Sequence, residues 1–250
     1  MNLFGRRKKN DRKGADGIQS ENHSGNKKLV VLNNPASFEA EQFRLLKTKI
    51  LFPSSGPFPR CIMVTSGFQG VGKSFVSSNL AISLAQSIDQ YVLLMDCDMR
   101  KPTAHKIFGY ENVPGLSDYL RNDAPLSSLF LKTMMPKLTL LPAGSPPPNP
   151  AELLSSKKMK ALIGEVKNRY DDRYVIMDSA PSKIAAETSA IIQEVDAVVL
   201  VVGYGKTPKE SIAELVDGIG KDKVASIVVN QCNSAVNYWG VKKHYYGYDK

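Results

Sequence analysis

One run of nine residues carries the spacing of glycine, lysine and serine that binds phosphate in P-loop proteins. Its letters read G-x-x-x-x-G-K-S, followed by a phenylalanine. Glycines let the backbone bend until consecutive N–H groups point at one phosphate; the lysine then contacts the β- and γ-phosphates and the hydroxyl binds Mg²⁺. The pattern predicts a site for a nucleoside triphosphate and Mg²⁺. The predicted nucleotide contacts are Gly67, Phe68, Gln69, Gly70, Val71, Gly72, Lys73, Ser74 and Phe75.

The segments on either side of this loop suit the motif. Residues 61–65 form a short apolar, β-prone run, and residues 75–85 place apolar side chains at roughly helical spacing. A P-loop joins a strand to a helix because the helix N-terminus adds a partial positive charge beside the phosphate. The competing interpretation, a chance match in a loop rich in Gly and Ser, is disfavoured because both flanking elements are present.

Two acidic turns follow apolar runs further along the chain. Asp178 comes directly after residues 174–177, and Asp96 and Asp98 come after residues 91–95. An aspartate after an apolar run is the Walker B pattern, so Asp178 is expected to orient Mg²⁺ directly or through water. Of Asp96 and Asp98, one is interpreted as a further metal ligand and the other as a proton acceptor. The competing interpretation is that these strand-end aspartates cap the next helix.

The elements that must position these residues alternate between strand and helix from residue 61 onwards. Alternation of this kind predicts an α/β fold with a doubly wound, mainly parallel sheet and helices on both faces. Ligands bind such sheets beyond the carboxyl ends of the strands. The P-loop, the acidic turns and Asn230 all fall at predicted strand ends. The amide of Asn230 is interpreted as a reader of the adenine edge.

Composition divides the chain into three segments. Residues 1–28 hold eight Lys or Arg against three Asp or Glu, a local net charge of +5. This basic leader is predicted to be flexible and solvated rather than a surface for anionic lipid. Residues 29–236 are predicted to form the P-loop domain, and residues 237–250 a tyrosine-rich tail.

Three element predictions can be compared with the structure. A helix near residues 37–51 is predicted to begin at Ser37. A single helix is predicted over residues 151–170, with Pro150 near its start. Residues 29–32 are interpreted either as an edge strand or as an anchoring segment.

The overall composition excludes several classes of protein. The chain has 250 residues, a net charge of +9 and 42% hydrophobic residues, which suits one large globular α/β domain. It contains no apolar run of about twenty residues and no apolar stretch after the basic start, so neither a membrane span nor a secretory signal is predicted. Its three widely separated cysteines indicate a reducing cytoplasm. Nucleic acid is not an expected partner, because no recognition motif accompanies the basic residues.

In combination, these motifs resemble the bacterial protein-tyrosine kinases, or BY-kinases, of exopolysaccharide export systems. That family has a Walker A′ motif of three apolar residues and D-x-D-x-R, matched by residues 93–100, and a Walker B motif ending in D-x-x-P, matched by residues 175–181. It also has an E-x-x-R-x-x-R helix before the core and a tyrosine cluster at the C-terminus. The matching positions are Glu41, Arg44 and Lys47 in the helix and Tyr245, Tyr246 and Tyr248 in the tail.

The resemblance implies an ATP-dependent tyrosine autokinase. The γ-phosphate of Mg-ATP is then expected to pass to Tyr245, Tyr246 or Tyr248 of a neighbouring copy. The resemblance assigns Lys73 to the phosphates, Asp96 to the incoming hydroxyl as base, and Ser74, Asp98 and Asp178 to Mg²⁺.

The resemblance also implies partners and a location. Glu41, Arg44 and Lys47 are expected to hold a ring-like homo-oligomer, although Lys47 replaces the family's last arginine and lacks its forked geometry. A separate membrane chain-length or sensor protein is expected as activator, and a phosphotyrosine phosphatase as a further partner. The protein is expected in the cytoplasm, recruited to the inner face of the membrane through a partner.

The alternative is an ATP-switched positioning or scaffold ATPase of the MinD/ParA type. That class shares the fold but carries a signature lysine near the start of its P-loop, where this chain has Phe68. Phe68 therefore favours the kinase interpretation.

Overall fold

The core of the protein is a seven-stranded sheet with strand order β3-β4-β2-β5-β1-β6-β7. The computed structural model describes residues 26–53, 56–168, 172–182 and 186–232; most of the basic leader and the whole tyrosine-rich tail lie outside these residues. Every neighbouring pair of strands is parallel except β3 and β4, which confirms the predicted mainly parallel sheet. The strands are β1 Cys61–Thr65, β2 Tyr91–Asp96, β3 Leu131–Lys132, β4 Leu138–Leu141, β5 Arg173–Asp178, β6 Ala197–Gly203 and β7 Val224–Asn230.

Helices pack on both faces of this sheet. Alternate residues of β1 enter different hydrophobic clusters: Ile62 and Val64 face one, Cys61 and Met63 the other. The central strands are apolar and buried on both faces, as expected where helices cover a parallel sheet. The helices are α1 Val30–Asn33, α2 Phe38–Leu51, α3 Lys73–Ala85, α4 Ala104–Ile107, α5 Leu116–Asn122, α6 Leu126–Leu129, α7 Pro150–Leu154, α8 Lys157–Asn168, α9 Ala186–Ile192 and α10 Lys209–Ile219, with a 3₁₀ turn at Lys221–Lys223.

The segment before the sheet is anchored on α3. The edge-strand interpretation of residues 29–32 is wrong, because this segment forms the single-turn helix α1. The Asn79 side chain accepts a hydrogen bond from the backbone N–H of Val31 (3.1 Å) and donates one to the carbonyl of Lys28 (2.7 Å). This amide takes up backbone groups that a strand would otherwise need a neighbour to satisfy. The anchoring interpretation is therefore confirmed.

Serine side chains set the ends of two other helices. Ser37 accepts a hydrogen bond from the N–H of Ala40, so α2 begins where the sequence predicts. The single helix predicted over residues 151–170 is wrong: α7 ends at Leu154 and α8 begins at Lys157. The Ser156 hydroxyl accepts from the N–H of Met159 at 3.1 Å, so it caps a new helix instead of continuing the first.

Candidate nucleotide site

The P-loop lies between β1 and α3 with the backbone that its glycines permit. Gly70 and Gly72 adopt φ angles of 73° and 92°, in the left-handed region that side chains disfavour. Gly72 also has no room for a side chain, since a Cβ atom there would lie 2.2 Å from the Asn230 amide nitrogen. Lys73 is the first residue of α3 and is only 7% exposed. The loop therefore presents backbone N–H groups and a buried lysine at a helix N-terminus.

The end of β7 is hydrogen-bonded to the backbone of this loop. The Asn230 amide donates to the carbonyl of Val71 at 2.8 Å, and the Gln231 amide donates to the carbonyl of Gly70 at 2.6 Å. The sequence-based role for Asn230, recognition of adenine, stays a prediction. Gln231 is a site residue that the sequence analysis missed.

Asp178 is the last residue of β5, which pairs with β1, the strand that precedes the P-loop. It is completely buried, and neither carboxylate oxygen has a hydrogen-bond partner within the described part of the chain. Burial raises the pKa of Asp178 to about 7, opposed by the nearby Ser74 hydroxyl and Lys73 ammonium. Ser74 lies close enough to oppose this shift without completing a hydrogen bond to either oxygen. A buried, ionised carboxylate without hydrogen bonds is unfavourable in free energy unless a cation lies beside it or a proton neutralises it.

Asp96 ends the neighbouring strand β2, in register with Asp178. Its Oδ1 accepts from the N–H of Asp98 (3.1 Å), and its Oδ2 from the N–H groups of Thr103 (3.1 Å) and Ala104 (3.0 Å). Burial and the charge of Asp178 raise the pKa of Asp96 well above its ordinary value, against the pull of these hydrogen bonds. Asp96 thus makes the capping contacts that the competing sequence interpretation describes, and its role as base stays a prediction.

The second acidic turn is joined to the P-loop at two points. Lys101 donates through Nζ to Oε1 of Gln69 at 3.1 Å, and the Thr103 hydroxyl donates to the Ser74 hydroxyl at 2.7 Å. Asp98 is half-buried and accepts from the backbone N–H of Lys101 at 3.1 Å. Thr103 was missed by the sequence analysis, because no spacing rule connects it to a serine 29 residues earlier.

Three carboxylates act electrostatically on the ammonium of Lys73. Burial lowers the pKa of Lys73, whereas the charges of Asp178, Asp98 and Asp96 oppose that shift. One cation among three acids leaves an excess of negative charge if all four groups are ionised. The raised pKa values of Asp96 and Asp178 follow from this excess as well as from burial.

The oxygen atoms at this point fit Mg²⁺. The unpartnered carboxylate of Asp178 and the hydroxyl of Ser74 are hard oxygen donors of the kind that Mg²⁺ prefers. No group of three or more His, Cys, Asp and Glu side chains is arranged to hold a metal ion among the residues described. A Mg²⁺ ion bound here would therefore complete its shell with nucleotide phosphate and water, as is usual for this ion.

The predicted oligomer contacts lie on α2, outside the P-loop and the acidic turns. Glu41 and Arg44 form an ion pair on α2 (Nε–Oε2 2.6 Å), and Arg44 also donates to the carbonyl of Pro35. Lys47 follows one turn later on α2 and is half-buried. The predicted acceptors Tyr245, Tyr246 and Tyr248 lie outside the described residues.

The fold and this site define a class: a P-loop nucleotide-binding protein with a mainly parallel sheet. In agreement, residues 60–229 match the family model described as an AAA domain. The chain is 35% identical to the tyrosine-protein kinase YwqD of Bacillus subtilis (strain 168), over 87% of this chain and 93% of that protein. It is 32% identical to the putative tyrosine-protein kinase CapB of Staphylococcus aureus, over 88% and 96%. The chain belongs to the family of bacterial tyrosine-protein kinases.

Solved structures agree with this assignment. The kinase domain of the Escherichia coli tyrosine kinase ETK superposes with a TM-score of 0.75 at 28% identity, covering 84% of this chain and 83% of that one. The septum site-determining protein MinD from Pyrococcus horikoshii OT3, solved with Mg-ADP, superposes with a TM-score of 0.53 at 22% identity, over 68% of each chain. At that identity the likeness to MinD extends to the fold alone.

None of the helices described is both long and apolar enough to cross a membrane.

Proposed function

We propose that the protein is an autokinase that transfers the γ-phosphate of Mg-ATP to tyrosines of its own tail, in a neighbouring copy. The acceptors are Tyr245, Tyr246 and Tyr248, and further proteins are secondary substrates. The output is regulation of exopolysaccharide synthesis and export. Beside membership of the tyrosine kinase family, the observation that carries the proposal is the buried Asp178 carboxylate, unpartnered among the described residues and close to Ser74.

Each residue of the site has a distinct part in this reaction. Lys73 and the P-loop N–H groups bind and neutralise the β- and γ-phosphates, which is the main requirement of phosphoryl transfer. Ser74, Asp98 and Asp178 would hold Mg²⁺, which when bound would offset the negative charge that develops on the transferred phosphoryl group.

Asp96 is proposed as the base that accepts the tyrosine proton. Its raised pKa makes it a stronger base than an ordinary aspartate, and Oδ1 accepts a single backbone hydrogen bond. A carboxylate oxygen can accept two, so Oδ1 retains capacity for the incoming hydroxyl. Asp98 is the alternative base, because it is half-buried whereas Asp96 is fully buried.

Self-association through α2 is the second part of the proposal. Glu41, Arg44 and Lys47 are proposed to contact a neighbouring copy in a ring-like homo-oligomer. The same helix exposes Phe38 (66%) and Leu45 (51%), which lie seven residues and therefore two turns apart on one face. Exposed apolar residues beside a charged motif suit a protein interface.

The remaining partners are proposed from the family. A separate membrane chain-length or sensor protein activates the kinase, and a phosphotyrosine phosphatase reverses the modification; nucleic acid is not a partner. The kinase is cytoplasmic and is recruited to the inner face of the membrane through its activator. We propose the same three segments as the composition predicts: a leader of residues 1–28, a kinase domain of residues 29–236 and a tail of residues 237–250.

One experiment separates this function from that of an ATP-switched positioning or scaffold ATPase of the MinD/ParA type. The full chain is incubated with Mg-ATP labelled on the γ-phosphate, and phosphotyrosine is mapped by mass spectrometry. Label retained on tyrosine supports the kinase, whereas label found only in free phosphate supports the switch. The matched inactive control is Lys73→Met, which removes the cation facing the phosphates. The charge control is Lys221→Met, at an exposed position beyond α10.

A further inference from the structure

Two consecutive side chains at the end of β7 bind two consecutive carbonyls of the P-loop. Asn230 donates to Val71 at 2.8 Å and Gln231 donates to Gly70 at 2.6 Å. These bonds connect positions about 160 residues apart in the sequence. We name the pair Asn230 and Gln231 the amide clasp.

The clasp acts on the part of the loop whose backbone is least restricted. Gly70 and Gly72 both have positive φ angles, and glycine loses more backbone entropy than any other residue when it is held in one conformation. A carbonyl bound on the outside of the loop fixes the orientation of the peptide planes. N–H groups on the inside then stay directed at the phosphate position, so less ordering is left for nucleotide binding to accomplish.

The base of the clasp is itself fixed by the sheet. Asn230 pairs in register with Gly203 of β6, and its carbonyl accepts from the N–H of Tyr204 at 2.8 Å. Gln231 has a φ angle of 62°, in the left-handed region that is uncommon for a residue with a side chain. This turn leaves the Gln231 amide within reach of Gly70.

We propose that Gln231, together with Asn230, is a positioning residue that pre-orients the P-loop for the triphosphate. The inference rests on the proposed function only in that ATP binds at the P-loop, and nucleotide affinity is measured without reference to phosphotyrosine. A chain that binds Mg-ATP but transfers no phosphate would overturn the kinase proposal and leave this one standing.

The test compares three variants of the full chain by calorimetric titration with Mg-ATP. Gln231→Ala removes one exposed hydrogen bond and is expected to raise the Kd for ATP by roughly three- to tenfold. Gln231→Gly also lacks the amide but favours the left-handed backbone. It is expected to weaken binding as much as Gln231→Ala. Gln231→Glu is expected to weaken it most, because a carboxylate cannot donate to Gly70 and adds negative charge beside the phosphates.

The controls separate positioning from folding. Gln193→Glu makes the same charge change at an exposed position after α9 and is expected to leave the Kd for ATP unchanged. Thermal unfolding of each nucleotide-free variant is measured in parallel, and the midpoints are expected to stay within a few degrees of the wild type, because only one exposed hydrogen bond is lost. Wild-type affinity in Gln231→Gly would assign the role to the backbone turn and overturn the proposal. Affinities within twofold of the wild type for both Gln231→Ala and Gln231→Glu would also overturn it.

Discussion

Asp96 and Asp178 lie side by side at the ends of β2 and β5, yet within the described part of the chain only Asp96 is hydrogen-bonded. Asp96 accepts three backbone N–H groups, whereas both oxygens of Asp178 are buried and have no partner among the described residues. Hydrogen bonds to a carboxylate favour its charged form, and burial alone disfavours it. The side chain of Asp96 is therefore held by backbone hydrogen bonds, whereas the carboxylate of Asp178 is available to bind a cation.

The first prediction is that Asp178 makes the nucleotide-free protein less stable as pH rises. Its pKa in the folded protein, about 7, lies above the ordinary value of 3.8 that applies to the unfolded chain. The folded state therefore holds the proton more tightly. This contribution to stability is complete below about pH 4 and is lost as pH rises through about 7. Asp178→Asn does not titrate. As pH rises through this range, its free energy of unfolding is therefore expected to increase relative to that of the wild type, by an amount on the order of a few kcal/mol.

The measurement is urea unfolding of both proteins between pH 4 and pH 8 without nucleotide or Mg²⁺. Asp96 is present in both, but the charge of Asp178 acts on it, so the difference reports Asp178 together with its effect on Asp96. Asp89→Asn, at an exposed carboxyl group, serves as the control. Its free energy of unfolding is expected to change with pH in the same way as that of the wild type. Phosphotyrosine formation by Asp178→Asn is expected to fall by about two orders of magnitude or more, because the metal ligand is lost. A stability difference that does not change with pH would contradict the account of Asp178.

The second prediction separates Asp96 from Asp98. Asp96→Asn exchanges one acceptor oxygen for an amide group that cannot accept, so one or more of three backbone N–H groups loses its partner. The lost hydrogen bonds are expected to lower the free energy of unfolding by about 1–3 kcal/mol at pH 4, where buried charge on Asp96 contributes least. Asp98→Asn is expected to cost less than about 1 kcal/mol, because Asp98 is half-buried and an asparagine oxygen can still accept from Lys101.

Kinetics then identify the base. Single-turnover rates of tyrosine phosphorylation are measured from pH 5 to pH 9 at saturating Mg-ATP. If Asp96 accepts the proton, the rising limb of the profile disappears in Asp96→Asn and remains, at a lower overall rate, in Asp98→Asn. The opposite pattern would assign the proton to Asp98 and leave Asp96 as the residue that shapes the turn.

The third prediction uses two glycines of the P-loop that differ only in their surroundings. Both have positive φ angles, but a Cβ atom at Gly70 meets nothing within 4 Å, whereas one at Gly72 lies 2.2 Å from the Asn230 amide. Gly70→Ala is expected to cost about 1–2 kcal/mol of backbone strain. Gly72→Ala is expected to cost more and to abolish ATP binding, since it displaces the clasp as well. Equal effects of the two substitutions on the Kd for ATP and on chemical unfolding would refute this difference.

The sequence was sufficient for the parts of the site that depend on local spacing. The P-loop letters, the aspartates after apolar runs and the alternation of strand and helix are short-range patterns, and the parallel order of the sheet brings their ends together. Contacts between distant loops follow no such pattern. The bond from Thr103 to Ser74 and that from Gln231 to Gly70 depend on how loops close in three dimensions, so no spacing rule indicates them.

Local competition explains why the single helix over residues 151–170 was wrongly predicted and why two interpretations of residues 29–32 stayed open. A serine in a helical pattern can either remain in the helix or cap a new one, and composition does not decide between them. At Ser156 the cap is adopted. Residues 29–32 are apolar enough for a strand, but the side chain of Asn79 takes up backbone groups on both sides of Val30. Asn79 lies 48 residues from Val31 in the sequence, so the local pattern of residues 29–32 could not decide between an edge strand and an anchoring segment.

The last prediction is that tail phosphorylation loosens the proposed oligomer. Each phosphotyrosine adds close to two negative charges at neutral pH. An unmodified tail that docks in a neighbour's site lies beside Asp96, Asp98 and Asp178, where the bound nucleotide adds further negative charge. A multiply phosphorylated tail is therefore expected to be repelled from the site, and the contacts of α2 alone are expected to hold the ring less firmly.

Size-exclusion chromatography with light scattering measures this directly. The mass of the full chain is expected to fall after incubation with Mg-ATP and to rise again after phosphatase treatment. Replacing Tyr245, Tyr246 and Tyr248 by Phe is expected to keep the mass high even with ATP, because no charge can be added. Replacing Arg44 by Ala is expected to lower the mass without ATP, because it breaks the ion pair with Glu41 in the proposed contact helix. A mass that is indifferent to ATP, to phosphatase and to the tyrosine replacements would remove the switch and leave the kinase reaction unaffected.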